Sequence, residues 1–168
     1  GASLFDCLEL LHHATGVLNQ FVIEERNFSA GRYIMSAHID GDWLVNFADA
    51  AANGMIDGDL VQRYGRNIDD QALSDFGRWV RKQQADRPHS HIRSLNRTLA
   101  GLFDTERDET SPPPPLLRDV WLPDLQFMAA RSEGGSNRGL FLAAKGGHNA
   151  ESHNHNDIGT FIAYLNGA

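Results

Sequence analysis

Residues 139–162 read Gly-Leu-Phe-Leu-Ala-Ala-Lys-Gly-Gly-His-Asn-Ala-Glu-Ser-His-Asn-His-Asn-Asp-Ile-Gly-Thr-Phe-Ile. The stretch has three parts. Gly139–Ala144 is a short apolar run, a polar segment follows Gly146-Gly147, and a β-branched and aromatic run begins at Ile158 and reaches Tyr164. Short apolar runs parted by glycine-bearing turns read as antiparallel strands. The polar loop between them holds three imidazoles (His148, His153, His155), two carboxylates (Glu151, Asp157) and three amides (Asn149, Asn154, Asn156). Folding alone gives little reason to gather these groups beside a strand. Catalysis or metal binding does, because imidazole ligates metals and moves protons near neutral pH.

Working outward, the same texture extends back to Val120. Val120-Trp121-Leu122 and Leu125–Ala130 are further short apolar runs, and Gly134-Gly135-Ser136-Asn137 is a turn cluster. Before them stand four prolines, Pro112–Pro115. Such a tract cannot be helix or central strand and forms a stiff spacer. Upstream the periodicity is helical. Residues 3–24 predict an amphipathic helix broken or ended at Gly16, and 29–39 a second helix carrying Tyr33, Ile34 and Ala37 on one side. Asp40-Gly41-Asp42 marks a turn. Residues 43–52 predict an extended apolar run that ends as a small-residue helix, in which Asp49 either caps the alanine-rich turn or faces a cleft. Residues 57–83 predict two helical pieces, around Leu60–Tyr64 and Asp69–Lys82, and Leu95, Leu99, Leu102 and Phe103 form an apolar stripe. The expectation is an α+β chain: a helical domain over 1–111, a proline-rich linker over 112–118 and an antiparallel sheet domain over 119–168.

Composition narrows the function. The 168 residues include 15 basic and 22 acidic side chains, a net charge of -7, which argues against coating nucleic acid. No apolar run reaches the length of a membrane span. The single cysteine, Cys7, rules out an internal disulfide and carries no compartment signal. The chain starts Gly1-Ala2-Ser3 and stops at Asn166-Gly167-Ala168, and Asn-Gly after a strand is a hairpin signal that calls for a returning strand. The expectation is therefore a segment of a longer polypeptide, with oligomeric state unreadable.

In an extended segment His153, His155 and Asp157 share one parity and project to one face. Imidazole and carboxylate together suit zinc and several other divalent ions. A generic cupin pattern also fits in part: Gly147, five residues, His153, one residue, His155. It fails at the glutamate required four or five residues later, where Gly159 and Thr160 stand. A cupin-like metal-binding β module is thus one alternative.

Residues 139–162 resemble the signature of the heparinase II/III-like polysaccharide lyases, most specifically in the core His153-Asn154-His155-Asn156-Asp157. Leu44–Ala50 (Leu-Val-Asn-Phe-Ala-Asp-Ala) and Trp121–Arg131 (Trp-Leu-Pro-Asp-Leu-Gln-Phe-Met-Ala-Ala-Arg) also resemble segments of uncharacterised members. The resemblance implies the helical part of an (α/α) toroid followed by the start of an antiparallel β-sandwich, with the substrate cleft between them. It implies a bacterial enzyme, periplasmic or cytoplasmic, that cleaves uronic-acid-containing polysaccharide of heparin, heparan sulfate or alginate type by β-elimination. An acidic polysaccharide or oligosaccharide is the implied partner, with no nucleic acid and no membrane.

The reaction has three needs: the uronate carboxylate neutralised, a base for the C5 proton, and an acid for the departing glycosidic oxygen. By resemblance His153 stands at the active centre and His155 matches a zinc ligand, the zinc being structural with its other ligands outside this segment. Tyr33 is a candidate for the catalytic tyrosine, or a helix-packing one. Asn149, Glu151 and Asn154 are implied substrate contacts, and Trp43 stacks on a sugar ring or belongs to the core. Arg131 and Arg138 bind carboxylates or are strand-edge charges. A non-catalytic carbohydrate-binding relative is the remaining alternative.

Overall fold

Helices and antiparallel sheets both form, so the chain is of mixed α+β class. The structure, a computed structural model, describes residues 2–16, 25–85, 95–104, 112–150 and 155–166. The chain divides into two compact units, one made of Gly1–Arg32 with Ile56–Pro114, the other of Tyr33–Met55 with Pro115–Ala168. The chain crosses between them at Arg32–Tyr33, Met55–Ile56 and, within the proline tract, Pro114–Pro115. Among the described residues no helix is long and apolar enough to cross a membrane.

The first unit is helical. Helix α1 (Ala2–Thr15) stops where Gly16 turns left-handed at φ 66° and donates its N–H to His12 O, so the glycine read as a breaker serves as the C-terminal stop. Helix α2 (Glu25–Ser36) runs through the first crossing. Helices α3 (Gly58–Asn67) and α4 (Gln71–Gln84) form a hairpin. Each begins on an aspartate whose carboxylate accepts a backbone N–H: Asp57 from Leu60 at 3.2 Å, and Asp70 from Leu73 at 3.1 Å. Glycines set the spacing of this pair. A methyl at Gly77 would lie 2.3 Å from Gln62 N, and one at Gly65 would lie 2.4 Å from Ser74 N. The backbones therefore touch where any larger residue would hold them apart. Val61, Leu73, Phe76 and Val80 are buried, and the Phe5 ring meets Tyr64 edge-on at 5.1 Å. Arg63–Glu9 (3.1 Å), Arg66–Asp104 (2.8 Å) and Arg97–Asp6 (2.8 Å) tie distant parts of the unit together. Helix α5 (Leu95–Leu102) carries the predicted stripe, yet Leu95, Leu99, Leu102 and Phe103 are all exposed.

The second unit holds the sheets. The helix predicted over 29–39 ends at Ser36, so residues 37–39 are not its last turn. The chain instead forms β1 (His38–Asp40), which turns at Gly41 and pairs antiparallel with β2 (Trp43–Leu44). The β-branched Ile39 and a left-handed Gly41 favour a hairpin over further helix. Nor do residues 43–52 end as a helix. After Phe47 the chain turns at Ala48, with φ 54°, and the three alanines beyond are too few to nucleate one.

The main sheet runs β3 (Asp119–Leu122), β4 (Phe127–Arg131), β5 (Leu140–Lys145) and β6 (Phe161–Leu165), in sequence order and all antiparallel. Register places Val120, Ala129, Ala143 and Ile162 in one row across it, flanked by Leu122 with Phe127 and by Phe141 with Tyr164. This face packs on Ala37, Ile39, Val45 and Phe47 to make the unit's core. The opposite face presents the row Trp121, Met128, Ala144 and Phe161, with Leu140 beside Leu165. It is apolar as well, and Trp121 is 59% and Phe161 66% exposed.

Candidate functional site

The polar loop is the β5–β6 connection, and its base is pinched shut. Lys145 N donates to Thr160 O at 3.1 Å, Gly159 N to Lys145 O at 2.9 Å, and Thr160 N to Asp157 O at 3.0 Å. On the other side Gln126, left-handed at φ 45°, fixes the glycine pair. Its carbonyl accepts from Gly146 N and its side-chain Oε1 from Gly147 N, both at 2.8 Å. The ladder thus ends in a defined frame at Lys145–Gly147 and Asp157–Thr160.

The 48–49 turn meets that loop. His155 Nε2 lies 2.6 Å from Asp49 Oδ1, and Ala48 N donates to Asp157 Oδ2 at 2.5 Å. An ionised carboxylate only accepts, so this contact puts the proton of neutral His155 on Nε2. Both side chains remain substantially open to solvent, 45% for His155 and 62% for Asp49. An open pair adds little to stability. Its effect is geometric, fixing which ring nitrogen faces the carboxylate.

The shared parity of His155 and Asp157 is not how they converge. Asn156 between them is left-handed at φ 55°, and the stretch is coil rather than strand. Positive φ breaks the two-residue alternation, and both groups reach the same turn through that bend.

The other candidates fall in different surroundings. His153, Asn154 and Glu151 lie outside the described residues. Asn149 and His148 are exposed in the loop, and His148 Nδ1 accepts from Ala150 N at 3.2 Å. Trp43 is half open on β2, its ring 6.4 Å from that of Tyr164. Tyr33 packs edge-on against Phe127 at 5.5 Å in the core, where burial raises its phenol pKa and keeps it protonated. Arg131 is buried rather than a strand-edge charge: its Nη2 donates to His38 O at 2.5 Å and its guanidinium sits 4.7 Å from the Phe141 ring centre.

No protein-family model matches this chain, and no curated protein matches it.

Zinc takes four donors in a structural site. His155 and Asp49 are of the right kinds, but Asp157 is turned to a backbone N–H, and no group of three metal-binding side chains occurs among the described residues. The described residues alone do not make a zinc centre. The sequence left Asp49 between two roles and missed the Ala48 N–H. Asp49 was visible as a carboxylate interrupting an apolar stretch. The Ala48 N–H had no signal at all, because a backbone amide at an alanine is aimed only by the fold.

Proposed function

We propose that this chain carries one wall of the substrate cleft of a polysaccharide lyase, which cleaves a uronic-acid-containing polymer by β-elimination. The observation that carries this reading is the loop from Gly146 to Thr160, framed by a strand ladder and anchored on the Ala48–Asp49 turn. The likeness of residues 139–162 to the heparinase II/III signature supports it, as does the order of helical and antiparallel elements along the chain. In this reading the helices belong to an (α/α) toroid and the four-stranded sheet opens a β-sandwich.

His153 is the group assigned to proton movement at the sugar's C5, with Asn149, Glu151 and Asn154 as substrate contacts and Trp43 as a stacking platform. Tyr33, held protonated by burial, is suited to proton donation rather than abstraction. Elimination leaves a carbon–carbon double bond conjugated with the uronate carboxylate, which absorbs in the ultraviolet. The protein mixed with heparan sulfate or alginate should show rising absorbance at that edge. His153→Ala should lower the rate by roughly 10²–10⁴-fold, the span of a lost general acid or base. A flat trace with every uronic polymer defeats the proposal.

A further inference from the structure

We propose that Asp49 is a positioning residue, which holds His155 by its Nε2–H and leaves Nδ1 as the ring nitrogen open to a ligand. This rests on the lyase reading for its role in turnover, though not for the pairing itself.

Three observations converge on the turn. The His155 Nε2 to Asp49 Oδ1 distance of 2.6 Å is that of a close charge-assisted hydrogen bond. The neighbouring Ala48 N–H reaches Asp157, two residues along the same loop, so the turn grips the loop at two points. Ala48 achieves this at φ 54°, a conformation costing an ordinary residue about 1–2 kcal/mol. A strained residue beside a polar loop is a pattern of functional sites.

The carboxylate settles the tautomer. In the neutral ring, with Nε2 donating, Nδ1 keeps its lone pair, and among the described residues no hydrogen bond engages it. An imidazole backed in this way is fixed in orientation, and its open nitrogen accepts a proton or hydrogen bond from a sugar hydroxyl. If His155 were instead a metal ligand through Nε2, the metal would have to stand where Asp49 now makes contact. The two roles are therefore separable by what occupies Nε2.

The test is long-range proton–nitrogen NMR on histidine-labelled protein, with kinetics on the uronic polymer beside it. The expected result is a nitrogen-shift pattern that puts the ring proton on Nε2 of His155 and leaves Nδ1 bare. Asp49→Ala should abolish that proton and return the ring to exchanging tautomers. Asp49→Asn, which keeps an acceptor oxygen, should retain it. Asp49→Ala should also lower kcat by about 10–100-fold, the usual effect of losing a residue that orients a histidine, with KM little changed. Because Asp49 is well exposed, the alanine variant should keep the circular dichroism of the parent.

Two results would overturn the proposal. One is an unchanged His155 spectrum in Asp49→Ala. The other is one zinc per chain, after zinc chloride is added, bound at Nε2 and lost in both Asp49→Ala and His155→Ala. Protein inactive on all uronic polymers but with the Nε2 proton lost only in Asp49→Ala upholds the pairing and ends the lyase reading. An active enzyme whose Asp49→Ala variant keeps full kcat ends the positioning role and spares the lyase reading.

Discussion

His38 is 2% exposed, and its Nε2 lies 2.9 Å from the carbonyl of Gly41. Burial lowers its pKa and outweighs the raising effect of the Gly41 hydrogen bond; the nearby Arg131 charge lowers it further, against lesser raising effects from Asp40 and Asp42. The sign of the resulting pH dependence follows. Above about pH 6.5 the imidazole is neutral whether the chain is folded or not. As pH falls below that value the unfolded chain takes up a proton that the folded one refuses, so stability drops until the lowered pKa is passed. Denaturation midpoints measured from pH 7 to pH 5 should therefore decline, and His38→Gln, which retains an N–H donor, should flatten the decline. A slope unchanged by that substitution would place the titrating group elsewhere. At this scale the sequence was partly legible. The density of imidazoles and carboxylates marks the β5–β6 loop in the sequence itself. The choice between two roles for Asp49 needed its partner, because only the fold shows that His155 arrives opposite it. Arg131 was misjudged for a similar reason. Its charge suggests an edge, but its parity within β4 points it into the core.

Among the elements, the α3–α4 hairpin makes the sharpest prediction. Gly77→Ala would place a methyl 2.3 Å from Gln62 N, against backbone that cannot swing aside. The cost should be about 1–3 kcal/mol, the range for overpacking a close contact, even though alanine is the better helix former. Urea unfolding followed by circular dichroism would read this as a lower midpoint, and an unchanged midpoint would mean that the helices can separate freely. Both helices were legible from their apolar spacing, and their glycines were visible without announcing a backbone contact. The two misread segments share a cause. Residues 37–39 and 48–52 carry residues that continue a helix well enough in isolation, such as Ala37 and Ala50–Ala52. Tertiary context overrode them: Ala37 and Ile39 are needed in the core beneath the sheet, and Ala48 bends the chain toward Asp157.

For the whole molecule, the four-stranded sheet sets the terms. Both of its faces are apolar, the pattern of a sheet buried on two sides. One face has its core, while Trp121, Phe161, Leu140 and Leu165 are between 49% and 66% exposed on the other. Surface of this kind binds apolar dyes and promotes association. Trp121→Lys with Phe161→Lys should cut the fluorescence of a bound naphthalene dye, since aromatic rings carry the largest apolar areas, and should shift sedimentation toward single chains. Dye binding equal to that of the parent would locate the sticky surface elsewhere.

The three crossings carry a consequence for how the polypeptide can be divided. Half of the sheet unit's core comes from Ala37, Ile39, Val45 and Phe47, which are encoded before the α3–α4 hairpin, while the strands they support come after it. A single protease cut in the proline tract would therefore release a C-terminal piece stripped of its floor, and leave the N-terminal piece trailing an orphaned greasy strap. During synthesis that strap must wait, unsheltered, until the last strands emerge from the ribosome.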